Sequence, residues 1–187
     1  DHPWETVREL MDHGVIDPDI ITAAWIHDVP EDGEKLRQPR IDPKTGVATT
    51  SYKKWAADTE EILVAIVGSV AAKYAMLMTR PQPDGIETAA GGVPTKEEAN
   101  GLYYVNLVQY PQVIMIKMAD RLHNVRTLWA MPEDNQRETI ISTVTNYLPL
   151  FELARDEYPE ATDYFIAEIE KALRPIAEEL GMDYDSI

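Results

Sequence analysis

The chain has 187 residues, 44% of them hydrophobic and 27% charged, with no cysteine and a formal net charge of −16. That length supports one well-buried core and excludes two ordinary domains, while the missing cysteines exclude disulfides, thiolate nucleophiles and cysteine-based zinc sites. The acidic balance speaks against broad nucleic-acid binding, which needs a basic surface, though a small phosphorylated ligand in a local cationic pocket stays compatible with it.

Helical patterning runs nearly throughout. A first helix is predicted from about Pro3 to His13, stopped by Gly14. Asp17 followed by Pro18 starts a second, which carries His27 and Asp28 near its end, where Pro30 and Gly33 are expected to break it. Residues 33–57 show weak periodicity and read as a long loop, with a short hairpin or lid as the alternative. Asp58 with Glu61 reads as a capping box opening a third helix to about Met78. Its apolar run, Ile62 to Met78, is interrupted by Gly68, Ser69 and Lys73 and reads as a core helix, since a bilayer span needs roughly 20 apolar residues.

Residues 80–94 are rich in proline and glycine and read as a second long loop. Thr95 with Glu98 opens a fourth helix to Tyr110, and Pro111 a fifth that carries Asp120 and reaches Trp129. Pro132 starts a sixth, to about Tyr158 with a bend at Pro149, and Pro159 a last one, to Leu180 with a kink at Pro175 and a stop at Gly181. No repeat and no strand alternation is visible, so the fold class is all-α, a single domain over residues 1–187 with a C-terminal helix in 156–187. Asp1 is not a translation start, so the chain is expected to be a fragment or to lack leading residues. A cysteine-free chain without a visible secretory signal fits the cytoplasm and no membrane partner.

Polar residues intrude on two of the apolar faces. His27 continues the stripe Ile20–Ala23–Ala24, and Asp28 continues Ile21–Ala24–Trp25. Asp120 shares a face with Val113 and Ile116, with Asn124 and Thr127 following at helical spacing. A buried carboxylate is costly unless paired, and a divalent cation is its strongest partner. His27, Asp28, Glu31 and Asp32 offer mixed nitrogen and oxygen donors that suit Mn²⁺, Fe²⁺ or Zn²⁺, and a cation with an open position makes hydroxide available near neutral pH. Glu31 stands one turn on, placed to hold and deprotonate a water. Taken singly, each residue has a plainer reading. His27 alone is a core histidine, Glu31 and Asp32 a solvated helix end, Asp120 half of an ion pair with Arg121 or Arg126, and His2 a surface residue.

Their joint order resembles the HD superfamily of metal-dependent phosphohydrolases. More narrowly, His2-Pro3, the string from Ala23 through His27-Asp28 to Glu31-Asp32, and the string from Ile116 through Asp120-Arg121-Leu122-His123-Asn124 to Leu128 resemble the hydrolase domain of RelA/SpoT proteins and the small alarmone hydrolases. Tyr147-Leu148-Pro149-Leu150 adds a further echo, and the likeness covers roughly residues 1–155. The resemblance implies an HD-type helical bundle in which His2, His27, Asp28 and Asp120 hold one metal, usually Mn²⁺. Glu31 and Asp32 would activate water, and Asn124 and Thr127 would contact the nucleotide. The implied reaction removes the 3′-pyrophosphate of ppGpp or pppGpp.

The family's helix before the first ligand, with its basic residues, lies outside the chain, and Tyr103 and Tyr104 stand near where basic residues are usual. Arg80, Lys53, Lys54 and Lys96 are candidate phosphate contacts. Two alternatives therefore accompany the first reading: an HD phosphohydrolase of another nucleotide, such as a dNTP or NADPH, and a nucleotide-binding module without turnover.

Overall fold

The structure, a computed structural model, describes residues 2–35, 52–81 and 95–187. In chain order the α-helices are α1 (His2–Asp12), α2 (Pro18–Ile26), α3 (Asp28–Lys35), α4 (Tyr52–Val67), α5 (Ser69–Met78), α6 (Lys96–Leu107), α7 (Pro111–Arg126), α8 (Glu133–Ser142), α9 (Leu148–Phe151) and α10 (Pro159–Glu179). No strand occurs among the described residues, so the protein is all-α there, as its periodicity predicts. None of these helices is long and apolar enough to cross a membrane. The chain gathers into two compact units, one of Asp1–Asp17 with Tyr110–Ile187 and the other of Pro18–Gln109.

The first unit is built on α7, which packs against α1 and α10. Val113, Ile114, Met115, Ile116, Met118, Ala119, Leu122 and Val125 are all buried, so α7 is enclosed on nearly every side. Against it α10 lays a stripe at four-residue steps, Ala161, Phe165, Ile169, Leu173 and Ala177. Each larger member contributes roughly 1.5–3 kcal/mol by leaving water. Both predicted glycine stops hold. Gly14 has φ 79° and Gly181 φ 68°. At each, the glycine N–H and the next one turn back to the last helical carbonyls: Gly14 to Met11 at 3.1 Å and Val15 to Leu10 at 3.0 Å, then Gly181 to Glu178 at 3.0 Å and Met182 to Ala177 at 2.9 Å.

The predicted sixth helix is interrupted rather than continuous. After α8 the backbone widens into a π-turn over Thr143–Tyr147, closed by the Leu148 N–H on the Thr143 carbonyl, and α9 follows with Pro149 in its first turn. Pro149 has no N–H to continue the α ladder, and the wider turn absorbs the resulting mismatch. The predicted fifth helix likewise gives way at Arg126, where a short 3-10 turn, Leu128–Ala130, carries the chain to Trp129.

In the second unit α2 packs on α5 through small side chains, Ala23 and Ala24 on one and Ala71, Ala72 and Ala75 on the other, all buried. Three expectations change here. Helix α3 begins at Asp28 and runs through Pro30 and Gly33, so neither breaks it. Pro30 lies in the first turn, where backbone N–H groups lack helical acceptors and a proline costs nothing. Helix α4 begins at Tyr52, so Asp58 lies inside it and opens nothing. Trp55 sits beside Gly33, 3.6 Å from where a Cβ would stand, and this packing of α3 on α4 extends the helix upstream of the local capping signal. Gly68, at φ 86°, then splits the predicted third helix into α4 and α5.

The long loop expected over 33–57 is thus helical at 33–35 and 52–57, while residues 36–51 and 82–94 lie outside the described residues. The capping box at Thr95 forms as predicted, with Glu98 N–H donating to Thr95 Oγ1 at 3.2 Å and Thr95 N–H to Glu98 Oε2 at 2.8 Å. The helix it opens stops at Leu107 instead of Tyr110.

Candidate metal centre

Two His–Asp pairs stand out, one in each unit. In the second unit the break between α2 and α3 falls at His27. Adjacent side chains on a continuous helix diverge by about 100° and do not meet. The break removes that obstacle, and His27 Nε2 lies 3.1 Å from Asp28 Oδ1. His27 is 4% exposed, so its place on a buried stripe is as predicted. Asp28 is not on one: its side chain is 37% exposed, and Trp25 behind it is exposed too.

The other nitrogen of His27 fixes the proton inventory. Nδ1 lies 2.7 Å from the Ala24 carbonyl oxygen and must carry the hydrogen there, since two acceptors do not face one another. In the neutral ring Nε2 is then a lone pair directed at a carboxylate oxygen. A backbone-anchored Nδ1–H is how metal-binding imidazoles are usually oriented. Glu31 and Asp32, exposed on α3, follow Asp28 at three and four residues and share its face.

In the first unit Asp120 is 5% exposed, on the apolar face predicted for it. Both of its carboxylate oxygens have partners. Lys117 Nζ donates to Oδ2 at 2.7 Å, Asn124 Nδ2 to Oδ1 at 2.8 Å, and His2 Nε2 stands 3.1 Å from Oδ1. His2, in the first turn of α1, also meets the His123 ring edge-on at 4.4 Å. Burial, and after it the neighbouring His2 imidazole, holds His123 below the usual histidine range.

The plainer reading of Asp120, an ion pair with Arg121 or Arg126, is not what forms. Arg126 turns to Glu9, and Arg121 lies over the Tyr147 ring at 3.9 Å. Asn124 and Thr127, expected at a nucleotide, are both exposed. Asn124 braces Asp120, and the Thr127 hydroxyl donates back to the Asn124 carbonyl at 3.2 Å.

Sequence reasoning missed Lys117 and His123. The first had a signal, since Lys117 and Asp120 are three apart on one helix; the second had none, because its partner His2 is brought from a distant segment. The side chains of Lys53, Lys54 and Lys96 lie outside the described residues, and Arg80 stands over Tyr103, 5.6 Å from the ring centre.

The donors fit a divalent cation: each pair sets one imidazole nitrogen beside one carboxylate oxygen, a mixed set suited to Mn²⁺, Fe²⁺ or Zn²⁺. The fold and these residues define an all-α protein with two imidazole–carboxylate pairs.

Comparison with known proteins narrows the class. The chain is similar to a protein of Oryza sativa subsp. japonica named as a chloroplastic GTP diphosphokinase, RSH1, with 28% identity over 152 residues, 81% of this chain and 15% of the relative. It is also similar to the guanosine-3′,5′-bis(diphosphate) 3′-pyrophosphohydrolase of Aquifex aeolicus, with 26% identity over 152 residues, 80% of this chain and 17% of the relative. These relatives support a RelA/SpoT-type hydrolase domain, at low identity and over that region alone. The chain spans less than a fifth of either relative's length. No protein-family model and no solved structure matches it.

Proposed function

We propose that the chain is a divalent-metal-dependent hydrolase that removes the 3′-pyrophosphate of ppGpp or pppGpp, releasing pyrophosphate and GDP or GTP. The observation that carries this reading is the buried Asp120 carboxylate with His2 against it, in a chain similar to a named 3′-pyrophosphohydrolase. His2, His27, Asp28 and Asp120 would hold one cation, Mn²⁺ first among the candidates. When bound, such a cation supplies positive charge for a phosphoryl group and lowers the pKa of water.

The remaining work falls to the chain's own side chains. Glu31 and Asp32 orient the attacking water and accept its proton, as carboxylates on the face of Asp28 are placed to do. The new bond joins the water oxygen to the phosphorus on the 3′-oxygen, the bond from that phosphorus to the 3′-oxygen breaks, and the leaving oxygen takes a proton. Lys117 and Asn124 keep the Asp120 carboxylate in one orientation throughout. Thr127, and the part of the Asn124 amide that does not brace Asp120, contact the nucleotide. Positioning and electrostatics dominate attack at phosphorus, so these roles account for the chemistry without a covalent intermediate.

The test is incubation with Mn²⁺ and, separately, ppGpp, a dNTP panel and NADPH, with the products identified. Pyrophosphate and GDP from ppGpp support the reading. Turnover of a dNTP or NADPH with ppGpp left intact replaces the substrate, and binding without turnover of any of them replaces the class.

A further inference from the structure

Helix α1 carries His2 but is a weak platform by itself. It has 11 residues, and Val7 and Leu10 are its buried aliphatic side chains. A helix this short is marginal alone, so its pose depends on tertiary contacts. Apolar contact is non-directional and tolerates sliding and rotation. What fixes the rotation of α1 on α7 is polar. His2, Thr6 and Glu9 recur at steps of four and three residues and form one stripe along α1, which His13 continues just past its end.

Glu9 is buried in that stripe and is held from two helices at once. Arg126 of α7 donates through Nη1 to Glu9 Oε1, and Tyr164 of α10 donates through its hydroxyl to Oε2 at 3.0 Å. Arg126 Nη2 meanwhile reaches the Tyr164 oxygen at 3.5 Å and Glu168 Oε2 at 3.6 Å. The His13 ring stacks on Tyr164 with centres 3.4 Å apart, and His13 Nδ1 meets the Glu9 carbonyl at 2.9 Å.

Two points therefore register α1 against α7. One is His2 at Asp120. The other is Glu9 at Arg126, about 10 Å further along α1 at 1.5 Å rise per residue. Both advance in the same direction on the two helices, so a shift at one displaces the other. Charge-assisted bonds from a planar guanidinium fix angle as well as distance, which a leucine contact does not.

We propose that Glu9, Arg126 and Tyr164 form a positioning clamp that holds α1 on α7 so that His2 stays against Asp120. Its consequence for catalysis rests on the metal reading above, but the clamp itself is a statement about the metal-free protein. None of the three touches substrate or cation. They act through His2.

The experiment has two arms on the whole chain. Without metal, the wild type should show a nuclear Overhauser contact between the His2 and His123 ring protons. Arg126→Met, Glu9→Gln and Tyr164→Phe should weaken it in that order, and Arg126→Lys should restore part of what Arg126→Met loses. With Mn²⁺, the first two variants should bind roughly 10- to 100-fold more weakly, the scale of a lost supporting partner. Leu173→Ala, a core truncation on α10, is the control: it should lower Tm with both readouts unchanged. Retention of the His2–His123 contact in folded Arg126→Met and Glu9→Gln overturns the clamp, as does its equal loss in Leu173→Ala. A wild type that shows the contact yet binds no Mn²⁺ overturns the metal reading instead, and leaves the clamp to be decided by the first arm.

Discussion

The two His–Asp pairs reach the same 3.1 Å separation by opposite routes. His27 and Asp28 are neighbours in sequence, and one backbone break between α2 and α3 turns them toward each other. His2 and Asp120 come from separate helices and meet only because α1 is seated on α7. The local pair leaves its carboxylate 37% exposed, whereas the assembled pair buries its carboxylate, which Lys117 and Asn124 brace, and leaves its imidazole partly exposed. A His–Asp pair made by local geometry needs little support. One made by tertiary contact must be held, and the polar network around Asp120 and Glu9 is that support.

Asp120→Ala and Asp28→Ala separate the two kinds of pair most sharply. Both should abolish Mn²⁺ retention and turnover, measured by metal content after desalting and by pyrophosphate release. Asp120→Ala alone should also cost stability, about 2 kcal/mol or more, because Lys117 loses its buried carboxylate; denaturant unfolding checks this. Equal stability in the two variants contradicts the contrast.

Glu31→Ala comes next. The metal should stay, and turnover should fall by roughly 10²-fold, the usual scale for a lost general base. Unchanged turnover removes Glu31 from the mechanism.

Gly14→Ala tests the seating of α1 without touching any ligand. A Cβ there meets nothing within 4 Å, so the effect is the backbone's alone at φ 79°. A loss of about 1 kcal/mol is expected, read as a drop of a few degrees in Tm.

The smallest effect lies at Tyr184, in the 3-10 turn near the C-terminal end. Burial pushes the Tyr184 hydroxyl up to about 12, with Arg174 over its ring at 4.4 Å. The unfolded chain ionises Tyr184 near its ordinary value of 10, so the folded state binds more protons between these limits. Stability from this group is therefore complete below pH 10 and lost by about pH 12. Tyr184→Phe should flatten that stretch of a stability–pH curve, and an unaltered slope refutes it.

Much of this was legible because some signals are local. Thr95 with Glu98, Gly14 and Gly181 act within one turn, and each forms where the sequence puts it. Asp58 with Glu61 carries the same kind of pattern and fails, because Trp55 packed beside Gly33 draws the helix upstream. His27 and Asp120 were visible as polar residues on apolar stripes, and both are buried. Asp28 was read onto such a stripe by counting through a helix that breaks one residue earlier.

The sequence by itself determined the helical class, most helix starts and the buried placement of His27 and Asp120, because periodicity and capping depend on residues a turn apart. Only the tertiary structure decided that Arg126 serves Glu9 rather than Asp120, and that His2 and His123 stand beside that carboxylate. Glu9 and Arg126 are 117 positions apart. No spacing rule reaches that far, and a guanidinium flanked by several carboxylates chooses its partner by which helix packs against its own.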